Sequence, residues 1–193
     1  MASGLCESVS SVNDGHDNAP NMLTLDAINR LDAAAFASAF GKVYEHSQWI
    51  AERAFALRPA EGFASLPALH AALVATVSAA TDDEQVTLLR AHPELAGVEA
   101  AAGTLTADST REQAAAGLSA MSADDVARLR SLNARYRQRF GFPFIIAARN
   151  NTQEAIFGTL EARLHNTPEM EVRNALAQVG EIARLRLPAM TSA

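Results

Sequence analysis

Phe142-Pro143-Phe144-Ile145-Ile146-Ala147-Ala148 decides the fold class. It is the one stretch with the composition of a β-strand, and nothing else in the chain pairs with it convincingly. A lone strand leaves its backbone groups without a ladder. The stretch therefore reads as an extended segment buried between helices, not as part of a sheet. Its backbone groups then need other partners, and a polar ligand is one possibility.

Outward from this segment, helix-start signals recur. Thr81 precedes Glu84, Ser109 precedes Glu112 and Asn151 precedes Glu154, each at capping-box spacing ahead of an apolar run. Thr167 stands before Pro168, which puts proline at a first helical position. Apolar residues repeat at helical intervals: Val126, Leu129, Tyr136 and Phe140; Ile156, Phe157, Leu160 and Leu164; Val172, Leu176, Val179 and Ala183. Helices are expected near 32–57 (broken around His46), 65–79, 82–91, 109–119, 122–140, 152–165 and 168–187. The expected fold is all-α, a single-domain bundle of about seven to nine helices over residues 23–190, with one extended buried segment near 142–148.

The chain has 193 residues, 49% hydrophobic and 20% charged, with a formal net charge of -6. That length supports a core without disulfides or structural metal. The acidic balance argues against a nucleic-acid surface. Lys42 is the only lysine and the arginines stand mostly apart, so no polybasic run offers a hold for a membrane or a phosphate backbone. Cys6 is the only cysteine, which suits a reducing compartment. Residues 1–22 are polar, lack Lys and Arg, and read as a disordered tail rather than a targeting signal. No apolar run approaches a membrane span. Cytoplasm is the expected location.

Arg90-Ala91-His92-Pro93-Glu94-Leu95-Ala96-Gly97 holds the leading chemical candidate. A residue before proline is pushed out of the α region, so a helix from Asp82 should end at or just before His92. There the helix dipole favours a protonated imidazole, the usual proton donor in enzymes. A plain C-terminal cap explains the same residue without chemistry. Glu112 likewise reads as the far half of a Ser109 capping box. Yet a helix N-terminus also attracts anions, so Ser109, Glu112 and Gln113 can face a ligand. Other chemistries lack their parts. No lysine is placed for a Schiff base, no G-x-S-x-G elbow exists, and no paired-histidine spacing points to zinc. Neither a P-loop nor a dinucleotide fingerprint is present. Proton transfer and electrostatic stabilisation remain.

Taken in order, these segments resemble the OHCU decarboxylases, which act on 2-oxo-4-hydroxy-4-carboxy-5-ureidoimidazoline (OHCU) in urate breakdown. The resemblance rests on Trp49-Ile50-Ala51-Glu52-Arg53, the His92 segment, and Ser109-Thr110-Arg111-Glu112-Gln113 with Ala116-Gly117-Leu118. It continues through Leu132-Asn133, Tyr136 and Phe140–Phe144 to Ile182-Ala183-Arg184-Leu185-Arg186-Leu187. It implies an all-helical homodimer that releases CO2 and forms (S)-allantoin without cofactor or metal. It also implies His92 as catalytic acid/base and stereospecific proton donor, with Pro93 fixing its backbone and Glu112 as its carboxylate partner. Ser109 and Gln113 would bind the substrate's ring and ureido group, and Phe144, Ile145 and Ile146 would supply an apolar wall and backbone contacts. Arg186 is the substrate arginine of choice, with Arg184 and Arg149 fitting the pattern nearly as well. The residues alone also admit a non-catalytic helical interaction domain, or a His/Glu hydrolase of a related ureide.

Overall fold

The computed structural model describes residues 22–97, 100 and 102–192. Nine α-helices are placed among them: α1 (Leu25–Arg30), α2 (Ala33–Phe40), α3 (Trp49–Ala56), α4 (Leu66–Ser78), α5 (Asp82–Arg90), α6 (Ala107–Ala115), α7 (Ala123–Phe140), α8 (Gln153–Arg163) and α9 (Pro168–Arg186). Single 3-10 turns follow at Leu118–Ala120, Ala148–Asn150 and Leu187–Met190. No sheet forms among the described residues; a single parallel bridge joins Leu23 to Thr191 and ties the two ends together. Nor is any helix there long and apolar enough to cross a membrane. The all-α expectation stands. The tail expected over residues 1–22 lies, apart from Met22, outside the described residues.

The helix caps show which signals acted. Thr81 and Glu84 form the full reciprocal box at the start of α5, and Thr167 caps α9 ahead of Pro168. Two expected caps are displaced. Thr106, not Ser109, starts α6: its hydroxyl accepts from the Ser109 N–H at 3.2 Å, three residues earlier than expected. Ser109 thus sits inside the first turn and spends its hydroxyl elsewhere. At α8 the cap is Thr152, while the Asn151 amide donates to the Ala147 carbonyl at 2.9 Å. The expected helix over 32–57 is two helices separated by a turn region, with His46 at φ 50° within it. The short helix α1 had no expectation to match.

Two aromatic clusters anchor the core. Phe36 meets Phe40, Phe55 and Phe63 around α2 and α3, and Tyr136 meets Phe140, Phe142 and Phe144 beside the extended segment. Helix α9 runs against α4 and α5, with Ala175, Val179 and Ala183 fully or almost fully buried. Its C-terminal turn carries Arg186 into the interior. Gly141 ends α7 in the left-handed region, at φ 79°, and turns the chain into the extended segment. Residues 142–148 are all buried. Their backbone finds side-chain partners instead of a ladder. The Ile145 carbonyl accepts from Arg163 Nη1 at 2.8 Å, and the Ala147 N–H donates to Gln178 at 2.9 Å.

Candidate active site

Helix α5 ends at Arg90, and His92 lies two residues beyond, before the proline that bars further helix. The imidazole is buried, with its Nδ1 3.0 Å from the Leu88 carbonyl. A carbonyl only accepts, so Nδ1 carries the hydrogen, and in the neutral ring Nε2 keeps its lone pair. Burial pushes the His92 pKa below its ordinary value; the Leu88 bond and the charge of Glu45 pull upward but do not win. The resting ring is therefore neutral. The protonated form favoured by the helix dipole alone loses to the cost of desolvation. The loop after His92 is pinned twice. Asn133 donates to the Leu95 carbonyl at 3.0 Å, and the Ala96 N–H, at a residue with φ 49°, donates to Gln113 Oε1 at 3.0 Å.

Arg186 is the hub. Its Nε and Nη2 donate to the two oxygens of Glu112 at 2.7 and 2.8 Å, a bidentate pairing. Nη2 also reaches Glu45 at 2.9 Å, and Nη1 reaches the Val43 carbonyl at 3.2 Å. Glu112 is thus the partner of Arg186 and not of His92. The same Glu45 oxygen accepts from the Ser109 hydroxyl at 2.6 Å and from Thr106 at 3.1 Å. Burial alone would raise the Glu45 pKa; the Ser109 bond and the Arg186 charge outweigh it and hold the carboxyl below its usual range. For Arg186, burial opposes the charge, but Glu112 and Glu45 more than compensate and its pKa rises.

Most of these groups meet in one cleft, and Glu45 reaches it through its bonds to Arg186 and Ser109. His92, Pro93, Ser109, Glu112, Gln113 and Arg186 line it on one part. Phe144, Ile145 and Ile146 from the extended segment form an apolar wall, joined by Leu95, Ala148 and Ile182. The structure therefore brings His92, Pro93, Ser109, Glu112, Gln113, Phe144, Ile145, Ile146 and Arg186 to the same place. Among the three arginines, only Arg186 lines the cleft; Arg184 is exposed and paired with Glu181, and Arg149 is exposed beyond the segment's end. Glu45 was not foreseen. Its one signal was the helix break around His46, which leaves a carboxylate in the apolar run Val43-Tyr44-Glu45. Among the described residues, no three His, Cys, Asp or Glu side chains cluster to hold a metal ion.

An imidazole with a free Nε2, a guanidinium tied to two carboxylates and an apolar wall define a helical acid/base site for a small polar substrate. The sequence comparisons agree with that class. The family model for OHCU decarboxylase matches residues 29–188. A 2-oxo-4-hydroxy-4-carboxy-5-ureidoimidazoline decarboxylase of Haloferax volcanii is 42% identical over 165 residues, covering 86% of this chain and 94% of that protein. Its counterpart in Mus musculus is 42% identical over 160 residues, covering 83% and 88%. The crystal structure of an (S)-allantoin synthase superposes with a TM-score of 0.69 at 32% identity, over 88% of this chain and 54% of that one. The chain thus spans about half of that larger structure. It belongs to the OHCU decarboxylase family.

Proposed function

We propose that the protein decarboxylates OHCU to (S)-allantoin and CO2, with His92 as the group that moves the proton. The carbon that loses CO2 bears a hydroxyl and neighbours a C=N bond, so the substrate holds its own electron sink. As the C–C bond breaks, its pair forms a new C=C bond and the C=N π pair moves to nitrogen, which takes one proton from solvent. The resulting enol then loses its O–H proton and gains one on the adjacent carbon. Neutral His92 suits this second step: Nε2 takes the hydroxyl proton and returns a proton to carbon on the face it occupies. Pro93 holds the ring's backbone in place.

The other residues position and shield. Arg186 has five N–H donors. Four are engaged by Glu112 (two), Glu45 and Val43, which leaves one Nη1 hydrogen for the substrate. Glu112 acts by holding that guanidinium. Ser109 and Gln113 present polar groups to the ring and ureido arm, and Phe144, Ile145 and Ile146 close the apolar side. The working form is a homodimer in the cytoplasm and uses neither cofactor nor metal, because the chemistry needs only proton transfer and charge placement.

The observation that carries this reading is the convergence of His92, Arg186 and Glu112 on one cleft in a chain of this family. Urate oxidised through 5-hydroxyisourate supplies fresh substrate for the test. Added protein should accelerate CO2 release and build an optically active product. Release of ammonia instead would assign a ureide hydrolase, and no acceleration of either would leave a binding domain.

A further inference from the structure

Beside the cleft, but not lining it, lies a second buried ionic cluster that the reaction scheme leaves unused. Glu171 on α9 is 0% exposed. It accepts from Arg163 Nε at 2.6 Å, from Asn166 at 2.7 Å and from the Tyr136 hydroxyl. Arg163, at the end of α8, is also buried. Its Nη1 donates to the Ile145 carbonyl at 2.8 Å, and its guanidinium lies 4.8 Å over the Phe144 ring. A buried ion pair is a weak source of net stability, because desolvation offsets the attraction. Its use here is geometric.

Ile145 lies in the middle of a segment without a ladder. At one end the Gly141 carbonyl is held by Arg90 at 3.1 Å, and at the other the Ala147 N–H is held by Gln178. Between those ends, among the described residues, only Arg163 grips the backbone. In a trans peptide the C=O and the following N–H point in opposite directions, and no cis bond occurs among the described residues. With the Ile145 carbonyl drawn to Arg163, the Ile146 N–H of the same peptide faces away from Arg163. Ile146 lines the cleft and Arg163 does not. Among the described residues, no protein group accepts from that N–H.

We propose that Arg163 is a positioning residue: by holding the Ile145 carbonyl and the Phe144 ring, it aims the Ile146 N–H into the cleft as a fixed donor to a substrate carbonyl or ring nitrogen. The inference rests on the cleft being the decarboxylation site. Arg163→Met alone would strand the Glu171 carboxylate in the core, so the informative variant is Arg163→Met with Glu171→Met, which removes both charges together. It should melt near the wild type. Its KM, and its Kd for (S)-allantoin by calorimetry, should rise roughly 10- to 100-fold as the wall loses register. The pH profile of kcat should not move, because His92 is untouched. In the wild type, the Ile146 amide signal in a nitrogen–proton correlation spectrum should shift on titration with (S)-allantoin; in the double variant the response should vanish. Tyr136→Phe, which keeps Arg163 on Ile145, should retain the wild-type KM. If the double variant does not fold, Arg163→Lys decides the matter by a smaller rise in KM. Wild-type KM and Kd in a folded Arg163 variant, or an unresponsive Ile146 amide in the wild type, would overturn the proposal. A wild-type protein that releases no CO2 would sink the functional reading instead, and the allantoin titration would still judge Arg163.

Discussion

Replacing Glu45 by glutamine tests the part of the site that no local pattern announced. The glutamine carbonyl can take the place of Oε1, which accepts from Ser109 at 2.6 Å, Thr106 at 3.1 Å and Arg186 at 2.9 Å. All three contacts survive, those from Ser109 and Thr106 as neutral hydrogen bonds and that from Arg186 still assisted by the guanidinium charge, and what disappears is the carboxylate charge. A charge-assisted bond contributes ~1.5–3 kcal/mol and a neutral one ~0.5–1.5, so the Ser109 and Thr106 bonds, each losing ~1–1.5, together lose about 2–3 kcal/mol. The loss stays below the ~3–5 kcal/mol of a buried pair broken outright, because Arg186 keeps Glu112. For a chain of this size that means a Tm lower by roughly 5–10 °C. Glu45 is held ionised below its usual range, so its contribution is present above the unfolded carboxylate pKa and fades as pH falls through the folded value. The Tm gap between wild type and variant should therefore close in acid. Because Ser109 and Arg186 both line the cleft, kcat/KM should fall by about 10²-fold. Thermal melts by circular dichroism across pH, with CO2 release on fresh substrate, measure both quantities. A variant that melts within about 1 °C of the wild type at neutral pH, with wild-type turnover, would refute the account of Glu45.

Glu112→Gln should melt closer to the wild type than Glu45→Gln, because its side chain is 18% exposed against 3% for Glu45; kcat/KM should still fall at least ~10-fold as the bidentate hold on Arg186 weakens, and full activity would confine Glu112 to structure. His92→Gln should lower kcat by ~10²–10⁴-fold, and near-wild-type turnover would end its assignment. The His92 pKa is lower folded than unfolded, so the unfolded chain takes up its proton first as pH drops. Wild-type stability should thus decline more steeply than that of His92→Gln below the ordinary histidine value of about 6.5, and equal slopes in the two melting series would contradict a neutral buried ring. Product read by circular dichroism during turnover should be one enantiomer, since a positioned donor protonates one face; a racemate at the earliest times would mean that the enol escapes before it is protonated.

What could be read from the sequence was what local chemistry controls. Phe142–Ala148 was legible as extended because composition said strand while nothing offered a partner. Pro93 placed His92 just past the end of α5 through a steric rule that needs no tertiary information. Ser109 was misread because Thr106-x-x-Ser109 and Ser109-x-x-Glu112 are overlapping registers of one signal, and only the fold shows that the earlier one caps. Glu45 was invisible for a different reason. Its meaning depends on Arg186, 141 positions away, and on Ser109, 64 positions away. The pairing of Glu112 with Arg186, 74 positions on, was hidden in the same way. Residue types at helix ends are written locally, while the partner of a buried charge is decided by packing.

The charges at the cleft then divide the work. Arg186 and Glu112 line it with formal charges of +1 and -1, and Glu45, which does not line it, adds -1 through its bond to Arg186. Both carboxylates already spend oxygens on the same guanidinium, so neither is placed to give or take a proton without breaking an ion pair. Burial moves the two kinds of group in opposite directions: it lowers the His92 pKa, and it would raise that of Glu45, where Ser109 and Arg186 overrule it and hold the carboxyl below its usual range. Environments that separate titratable groups in this manner assign their roles. The Nδ1 of His92 is committed to Leu88, and among the described residues its Nε2 has no protein partner and lies in a cleft with an apolar wall. A proton taken up there has a single acceptor geometry to return through. On the proposed reading, proton transfer therefore falls to His92, and the arginine–carboxylate set fixes where the substrate lies when it occurs.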